Sequence, residues 1–106
     1  MDKIVIYVTC ASLKEAKKIS GKLLKLKLVA CANIVKGVQS AYWWKGKIER
    51  SNEVMLIMKS RKQLFKKIVS EVKKLHSYSV PEIIALPIIA GNPDYLKWIK
   101  ENVRLR

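Results

Sequence analysis

Cysteine, histidine and acidic residues are all scarce in this chain of 106 residues. It has two cysteines, one histidine and 8 acidic residues. Cys10 and Cys31 are too few for a disulfide framework, and we expect both thiols to be reduced in a cytoplasmic chain. The apolar run Ile4–Val8 is too short for a signal peptide or a membrane span, and no later segment approaches the length of a span. We therefore expect a cytoplasmic protein without membrane association.

Common catalytic and cofactor motifs are also missing. The chain contains no CxxC, HxxxH or HxxH spacing, no P-loop, no GxGxxG and no Ser-His-Asp pattern. The aromatic-rich RNP1 pattern of RNA-recognition domains is absent as well. These absences leave no reaction to name and favour a non-enzymatic role without an organic cofactor.

Positive charge is the strongest compositional signal, because 22 basic residues give a formal net charge of +14. Such a charge is typical of polyanion binding. The alternative is a lysine-coated, heat-adapted and thermostable surface. Most lysines fall on the polar faces of two predicted helices, which favours the second interpretation. Nucleic-acid binding is therefore expected to be at most non-specific.

Hydrophobic periodicity predicts a mixed order of strands and helices, and capping boxes at Ser12–Glu15 and Ser60–Gln63 mark two helix starts. Lys36-Gly37 is expected to bulge or bend the second strand, and Pro93 is expected to follow the cap of the last helix. In chain order, the predicted elements are a strand at 3–9, a helix from Ser12 to about Lys27, a strand at 28–35 extended by 38–44, a turn at 45–47, a strand at 48–59, a helix from Ser60 to about His76, a strand at 82–89 and a short helix capped by Asn92. Right-handed crossovers place both long helices on one face of the sheet. We therefore predict a single α+β domain over residues 1–106: a ferredoxin-like βαββαβ sandwich with a long hairpin between its second and third strands and an extra C-terminal helix.

The predicted hairpin carries Tyr42, Trp43 and Trp44 close to its turn. It is longer than one small core can cover, so these aromatic side chains are expected to be exposed in a single chain. Exposed aromatics on a projecting hairpin indicate burial against another subunit. A closed cyclic homo-oligomer would bury the hairpin of every subunit in an equivalent interface.

The chain resembles the CutA family of divalent-cation tolerance proteins over essentially its whole length. The similar segments are Tyr7–Thr9, Ala30–Asn33, Ser40–Glu49, Glu53–Val54, Lys59–Arg61, His76–Ile83 and Gly91–Leu96. The resemblance implies a ferredoxin-like fold, a tight homotrimer and a cytoplasmic location. It also implies an association with copper and other divalent metals, and no established enzymatic reaction. The chain departs from the family pattern at Ser77, where proline is usual, and at Ser79, where a polar or acidic residue is usual.

The candidate metal ligands are His76, Glu82 and Cys31. Imidazole and thiolate suit copper and other soft or borderline ions, and Glu82 adds a carboxylate six residues after the histidine. The competing interpretation of His76 is a helix-ending residue favoured by the helix dipole. Cys31 is more simply a small buried hydrophobe in a strand. Cys10 precedes a helix start, where a lowered thiol pKa would make it reactive.

A second set of candidates would line an inter-subunit cleft. Its members are Tyr42, Trp43, Trp44, Lys59, Tyr78 and Glu82. The set has two further interpretations. One is a regulatory trimer, similar to the PII signalling proteins, that binds a small anion or nucleotide. The other is stacking of nucleic-acid bases beside the lysines, although the aliphatic third strand lacks the stacking residues that this requires.

Overall fold

An antiparallel sheet in the order β2-β3-β1-β4 organises the chain. The computed structural model describes residues 1–105. Its elements are β1 (Lys3–Cys10), α1 (Leu13–Lys25), β2 (Cys31–Trp44), β3 (Lys47–Arg61), a 3₁₀ helix (Lys62–Leu64), α2 (Phe65–Leu75), β4 (Ile83–Pro87) and α3 (Pro93–Glu101). The order and the pairing confirm the predicted ferredoxin-like βαββαβ arrangement with an additional C-terminal helix.

One face of the sheet packs against α1 and α2. Alternate residues of β1 point toward the helices, as the period of two in a strand requires. The fully buried side chains include Ile6, Val8 and Cys10 of β1, Leu56 and Met58 of β3, Ile19 and Leu23 of α1, and Ile68 and Val72 of α2. Cys10 therefore stands at the edge of the apolar core rather than on the surface.

The opposite face of the sheet is covered only in part, by α3. Asn92 caps this helix by accepting a hydrogen bond from the Asp94 N–H at 3.0 Å, and Pro93 follows it, both as predicted. Tyr95 then reaches Cys31, with its hydroxyl 3.7 Å from Sγ. Beyond α3 the face stays open, and Ile84 and Leu86 are 46% and 43% exposed.

The hairpin of β2 and β3 extends past the rest of the sheet. A register shift between Val35 and Val38 contains Gly37 at φ 76°, which confirms the predicted bulge. The turn residues Lys45 and Gly46 both have positive φ, as a type I′ turn requires. Trp43 near this turn is 73% exposed. The exposure agrees with the expectation that a lone chain cannot cover the hairpin aromatics.

Three predicted boundaries were wrong. Leu28 and Val29 are buried in a loop, and β2 begins only at Cys31. Strand β4 ends at Pro87 instead of continuing to residue 89. The predicted capping box at Ser60 does not form, because Ser60 lies within β3 and its hydroxyl donates to the Leu28 carbonyl at 2.6 Å. The chain enters α2 through the 3₁₀ helix, without a side-chain cap.

The first capping box forms only by half. Ser12 accepts a hydrogen bond from the Glu15 N–H at 3.1 Å, as predicted. The Glu15 carboxylate turns instead toward the segment after α2. No helix within residues 1–105 has the length and apolar character needed to cross a membrane.

Candidate functional site

His76 ends α2 and turns its ring into the protein. Its backbone is extended and its side chain is fully buried. Nε2 lies 2.8 Å from the carbonyl oxygen of Thr9, which can only accept, so this nitrogen carries the proton. In the neutral ring, Nδ1 is then left with a lone pair, and it accepts the Tyr78 N–H at 3.1 Å. His76 thus ends α2 as predicted, and its ring also presents a ligand atom.

Glu15 holds the segment that contains His76 against the start of α1. Its Oε2 accepts the Ser77 hydroxyl at 2.7 Å. Its Oε1 lies 3.1 Å from His76 Nδ1, and that contact is a hydrogen bond only when the imidazole is protonated. The Ser77 N–H adds a longer hydrogen bond of 3.3 Å to Oε1. Sequence reasoning missed this role because Glu15 had been assigned to the capping box. Ser77, which replaces the usual proline, supplies both donors.

Cys10 lies at the end of β1, beside the same carboxylate. Burial raises the pKa of its thiol to about 12, and the negative charges of Glu15 and Glu53 add to that shift. The prediction of an activated, reactive Cys10 was therefore wrong, because burial outweighs the proximity of the helix N-terminus.

Cys10, Glu15 and His76 each place one ligand atom within 4.8 Å of the other two. In tetrahedral sites with bonds of 2.0 to 2.3 Å, donor atoms lie about 3.5 Å apart, so a modest contraction would suffice. The His76 Nε2–H bond to a backbone carbonyl is the support that metal-binding histidines usually have. One sulfur, one nitrogen and one oxygen donor suit zinc or copper. The residues therefore fit a divalent ion.

The other predicted ligands lie elsewhere in the chain. Glu82 accepts a long hydrogen bond of 3.5 Å from the Thr9 hydroxyl, on the sheet face away from Cys10. Cys31 pairs with Lys59, whereas Thr9 pairs with Met55. Four residues of strand separate these positions, which is about 13 Å. A single chain therefore does not gather His76, Glu82 and Cys31 into one site.

A cleft of about 770 Å³ lies along the inner side of the hairpin. Its lining residues are Thr9, Gln39, Ser40, Ala41, Tyr42, Trp43, Trp44, Glu53, Tyr78, Ser79, Val80 and Glu82. The predicted cleft residues are thus brought together except for Lys59. That lysine lies beyond the cleft and donates a hydrogen bond to Asn33 Oδ1 at 2.6 Å.

Tyr78 and Glu53 form the most buried polar contact of the cleft. The Tyr78 hydroxyl donates to Glu53 Oε2 at 2.7 Å, and Glu53 is only 7% exposed. Burial raises the pKa of Tyr78 well above its ordinary value, and the bond to Glu53 raises it further. The phenol is therefore a fixed hydrogen-bond donor at neutral pH.

Comparison with known proteins gives a consistent result. A family model described as CutA1 divalent ion tolerance protein matches residues 4–102. The chloroplastic protein CutA 1 of Oryza sativa is 46% identical over 101 residues, which cover 95% of this chain and 57% of that protein. The divalent-cation tolerance protein CutA of Archaeoglobus fulgidus is 46% identical over 98 residues, covering 92% and 95%. The chain thus spans little more than half of the plant relative and nearly all of the archaeal one.

Solved structures of CutA proteins from the same two organisms share the fold. The crystal structure of Oryza sativa CutA1 superposes with a TM-score of 0.94 at 44% identity, covering 98% of this chain and 95% of that one. The structure of the periplasmic divalent cation tolerance protein CutA from Archaeoglobus fulgidus gives 0.93 at 44% identity, covering 96% and 99%.

Proposed function

The chain belongs to the CutA1 divalent ion tolerance family, and from that premise we propose that it is a non-enzymatic homotrimer that binds copper or another divalent cation. The observation that carries the metal proposal is the convergence of Cys10, Glu15 and His76 at the end of β1. Of the three residues first expected to bind metal, only His76 belongs to this group.

Each member of the group has a distinct role in the proposed site. His76 offers Nδ1, and its bond to the Thr9 carbonyl fixes the ring orientation and the tautomer. Cys10 offers a thiolate, and Glu15 offers a carboxylate already oriented by Ser77. A bound divalent ion supplies the positive charge that lets a buried thiol give up its proton. Binding of a metal ion to Nδ1 would therefore break the hydrogen bond that the Tyr78 N–H donates to this atom.

The trimer proposal is supported by the exposed apolar surface of the single chain. Trp43 on the hairpin and Ile84 and Leu86 on the open sheet face are all exposed. Such surfaces are rare on monomers and typical of interfaces between subunits. A cytoplasmic location is proposed from the sequence alone.

Calorimetric titration with Zn²⁺ tests the metal proposal, because zinc has no redox chemistry with a thiol. We expect His76→Ala and Cys10→Ser to weaken binding at least about tenfold, the range known for perturbed metal sites. Glu49→Gln removes an exposed carboxylate outside the site and should bind zinc as the wild type does. Circular dichroism checks that the variants fold. Equal affinity of the folded His76→Ala variant and the wild type would refute the site.

A further inference from the structure

From its aromatic walls and carboxylates, we infer that the cleft along the hairpin binds a small organic ammonium ion, of the aliphatic diamine class. The cleft is the one lined by Tyr42, Trp44, Glu53, Tyr78 and Glu82, among others. This site is separate from the proposed metal site and does not depend on it. Thr9 stands between the two, with its carbonyl bonded to His76 and its hydroxyl to Glu82.

The charge of the cleft is opposite to that of the chain. Basic residues number 22 against 8 acidic ones, yet no lysine or arginine is among the residues that line the cleft, and two glutamates are. Within residues 1–105, the carboxylates with a lysine or arginine nitrogen in ion-pair distance are Asp2 and Glu71, and Glu15 faces the ring of His76. Glu53 and Glu82 therefore have no cation of their own chain beside them.

The absence of a neighbouring cation matters most at Glu53, because this carboxylate is buried. It is buried, and the bond from the Tyr78 hydroxyl is a neutral donor rather than a counter-charge. A buried carboxylate is stabilised most by a cation that also donates hydrogen bonds. An ammonium group provides both, and two carboxylates match a ligand with two positive charges.

The aromatic side chains of the cleft suit the same ligand. Tyr42, Trp44 and Tyr78 present rings to a space from which water can be displaced. Cations are attracted to the faces of such rings, tryptophan most of all. The Trp44 ring already has the Nζ of Lys45, a residue outside the cleft lining, 6.0 Å from its centroid. The alkyl chain of a diamine would pack against the apolar parts of these rings.

The size of the cleft favours an organic ligand over a bare metal ion. A volume of about 770 Å³ lies within the range of small-molecule pockets. Within residues 1–105, the group of three potential ligand residues close enough for a metal ion is Cys10, Glu15 and His76, which excludes Glu53 and Glu82. The hydroxyl groups of Ser40 and Thr9, on the same face of the sheet as Glu53, add acceptors for ammonium N–H groups.

Titration calorimetry of the native, chelator-treated assembly with putrescine tests this inference independently of metal binding. We expect putrescine to bind, and 1,4-butanediol, which has the same carbon chain without charge, not to bind. Glu82→Gln should weaken putrescine binding at least tenfold. Glu49→Gln, an equal charge change outside the cleft, should leave it unchanged.

Two results would overturn the inference. One is putrescine binding that is undetectable at millimolar concentration or is equal in wild type and Glu82→Gln. The other is a crystal structure of the assembly in which a lysine or arginine of a neighbouring subunit contacts Glu53 and Glu82, since the counter-charge would then be built in. Sedimentation velocity confirms that the compared variants have the same assembly state.

Discussion

His76 donates a hydrogen bond from Nε2 to the carbonyl oxygen of Thr9 at 2.8 Å, across 67 residues of sequence. This one contact ties the segment after α2 to the end of β1. It sets the neutral tautomer and leaves Nδ1 facing Glu15. Because the Thr9 hydroxyl points the other way, toward Glu82, the same residue separates the proposed metal site from the cleft.

Tyr78→Phe should destabilise the protein by about 2 kcal/mol, because it removes the hydrogen bond to a buried carboxylate. That bond is the 2.7 Å contact from the Tyr78 hydroxyl to Glu53. Tyr42→Phe is the control, since its hydroxyl makes an exposed 3.3 Å contact with Ser51. We expect a change below about 0.5 kcal/mol there. Urea unfolding at fixed protein concentration measures both, and equal changes would contradict the account of the cleft.

Ser60→Ala should cost about 1 to 2 kcal/mol, the usual penalty for a buried group that loses its hydrogen-bond partner. The Ser60 hydroxyl is buried and donates to the Leu28 carbonyl. Ser70→Ala on the exposed side of α2 is the matched control and should be neutral or slightly stabilising. The same denaturant experiment checks it. A loss at Ser60 no larger than at Ser70 would show that the hydrogen bond from Ser60 to the Leu28 carbonyl contributes nothing measurable to stability.

Ser60 and Glu15 also show how far the sequence could be read. Periodicity located the four strands and three α-helices of residues 1–105, because that signal is local, but not the 3₁₀ helix before α2. The two capping boxes match the sequence pattern equally well. Ser60 nevertheless lies in β3, where its hydroxyl donates to the carbonyl of Leu28, more than thirty residues away. The Glu15 carboxylate does not complete its capping box. It accepts hydrogen bonds from Ser77, 62 residues away. Side-chain partners of this kind depend on tertiary packing. They leave no short pattern in the sequence from which they could be predicted.

The candidate site was predicted only in part, because its side-chain partners also depend on tertiary packing. His76 was identified because it is the only histidine, and its resemblance to a family motif supported it. Cys31 was preferred over Cys10 as a ligand, although Cys10 is the thiol beside His76. Only the register of β1, β2 and β3 reveals that Cys31 and Lys59 lie together, far along the sheet from Thr9.

Asp2→Asn should lower the free energy of unfolding by about 1 kcal/mol at neutral pH, less than for a buried pair because the site is partly exposed. Burial opposes ionisation, but hydrogen bonds from Lys3, Arg61 and Gln63 outweigh it and hold the pKa of Asp2 far below its ordinary value. A lowered folded pKa gives a contribution that is complete above the unfolded pKa of about 3.9 and disappears as the pH falls through the folded value.

Urea unfolding at several pH values checks this dependence. The difference between wild type and Asp2→Asn should be constant from neutral pH down to about 5 and should shrink steadily below about 3.9. Glu49→Gln serves as the control for loss of an exposed carboxylate. A difference that grows on acidification would have the wrong sign for a stabilising Asp2–Arg61 pair.

Trp43→Glu should convert the proposed trimer into monomers at low micromolar concentration, because it places a charge on the most exposed aromatic of the hairpin. Leu24→Glu is the control. Leu24 is an exposed apolar side chain of α1, on the helical layer rather than the hairpin. Sedimentation velocity measures the assembly state. A wild type that is already monomeric, or a Trp43→Glu variant that remains trimeric, would contradict the proposed assembly.

An anomalous difference map from crystals soaked with Zn²⁺ tests the central claim most directly. We predict one peak per chain, within about 2.0 to 2.4 Å of Cys10 Sγ, His76 Nδ1 and a Glu15 carboxylate oxygen. The Tyr78 N–H should then no longer bond to Nδ1. A map with peaks only at Glu82, at Cys31 or on the surface, with His76 still bonded as described, would contradict the claim.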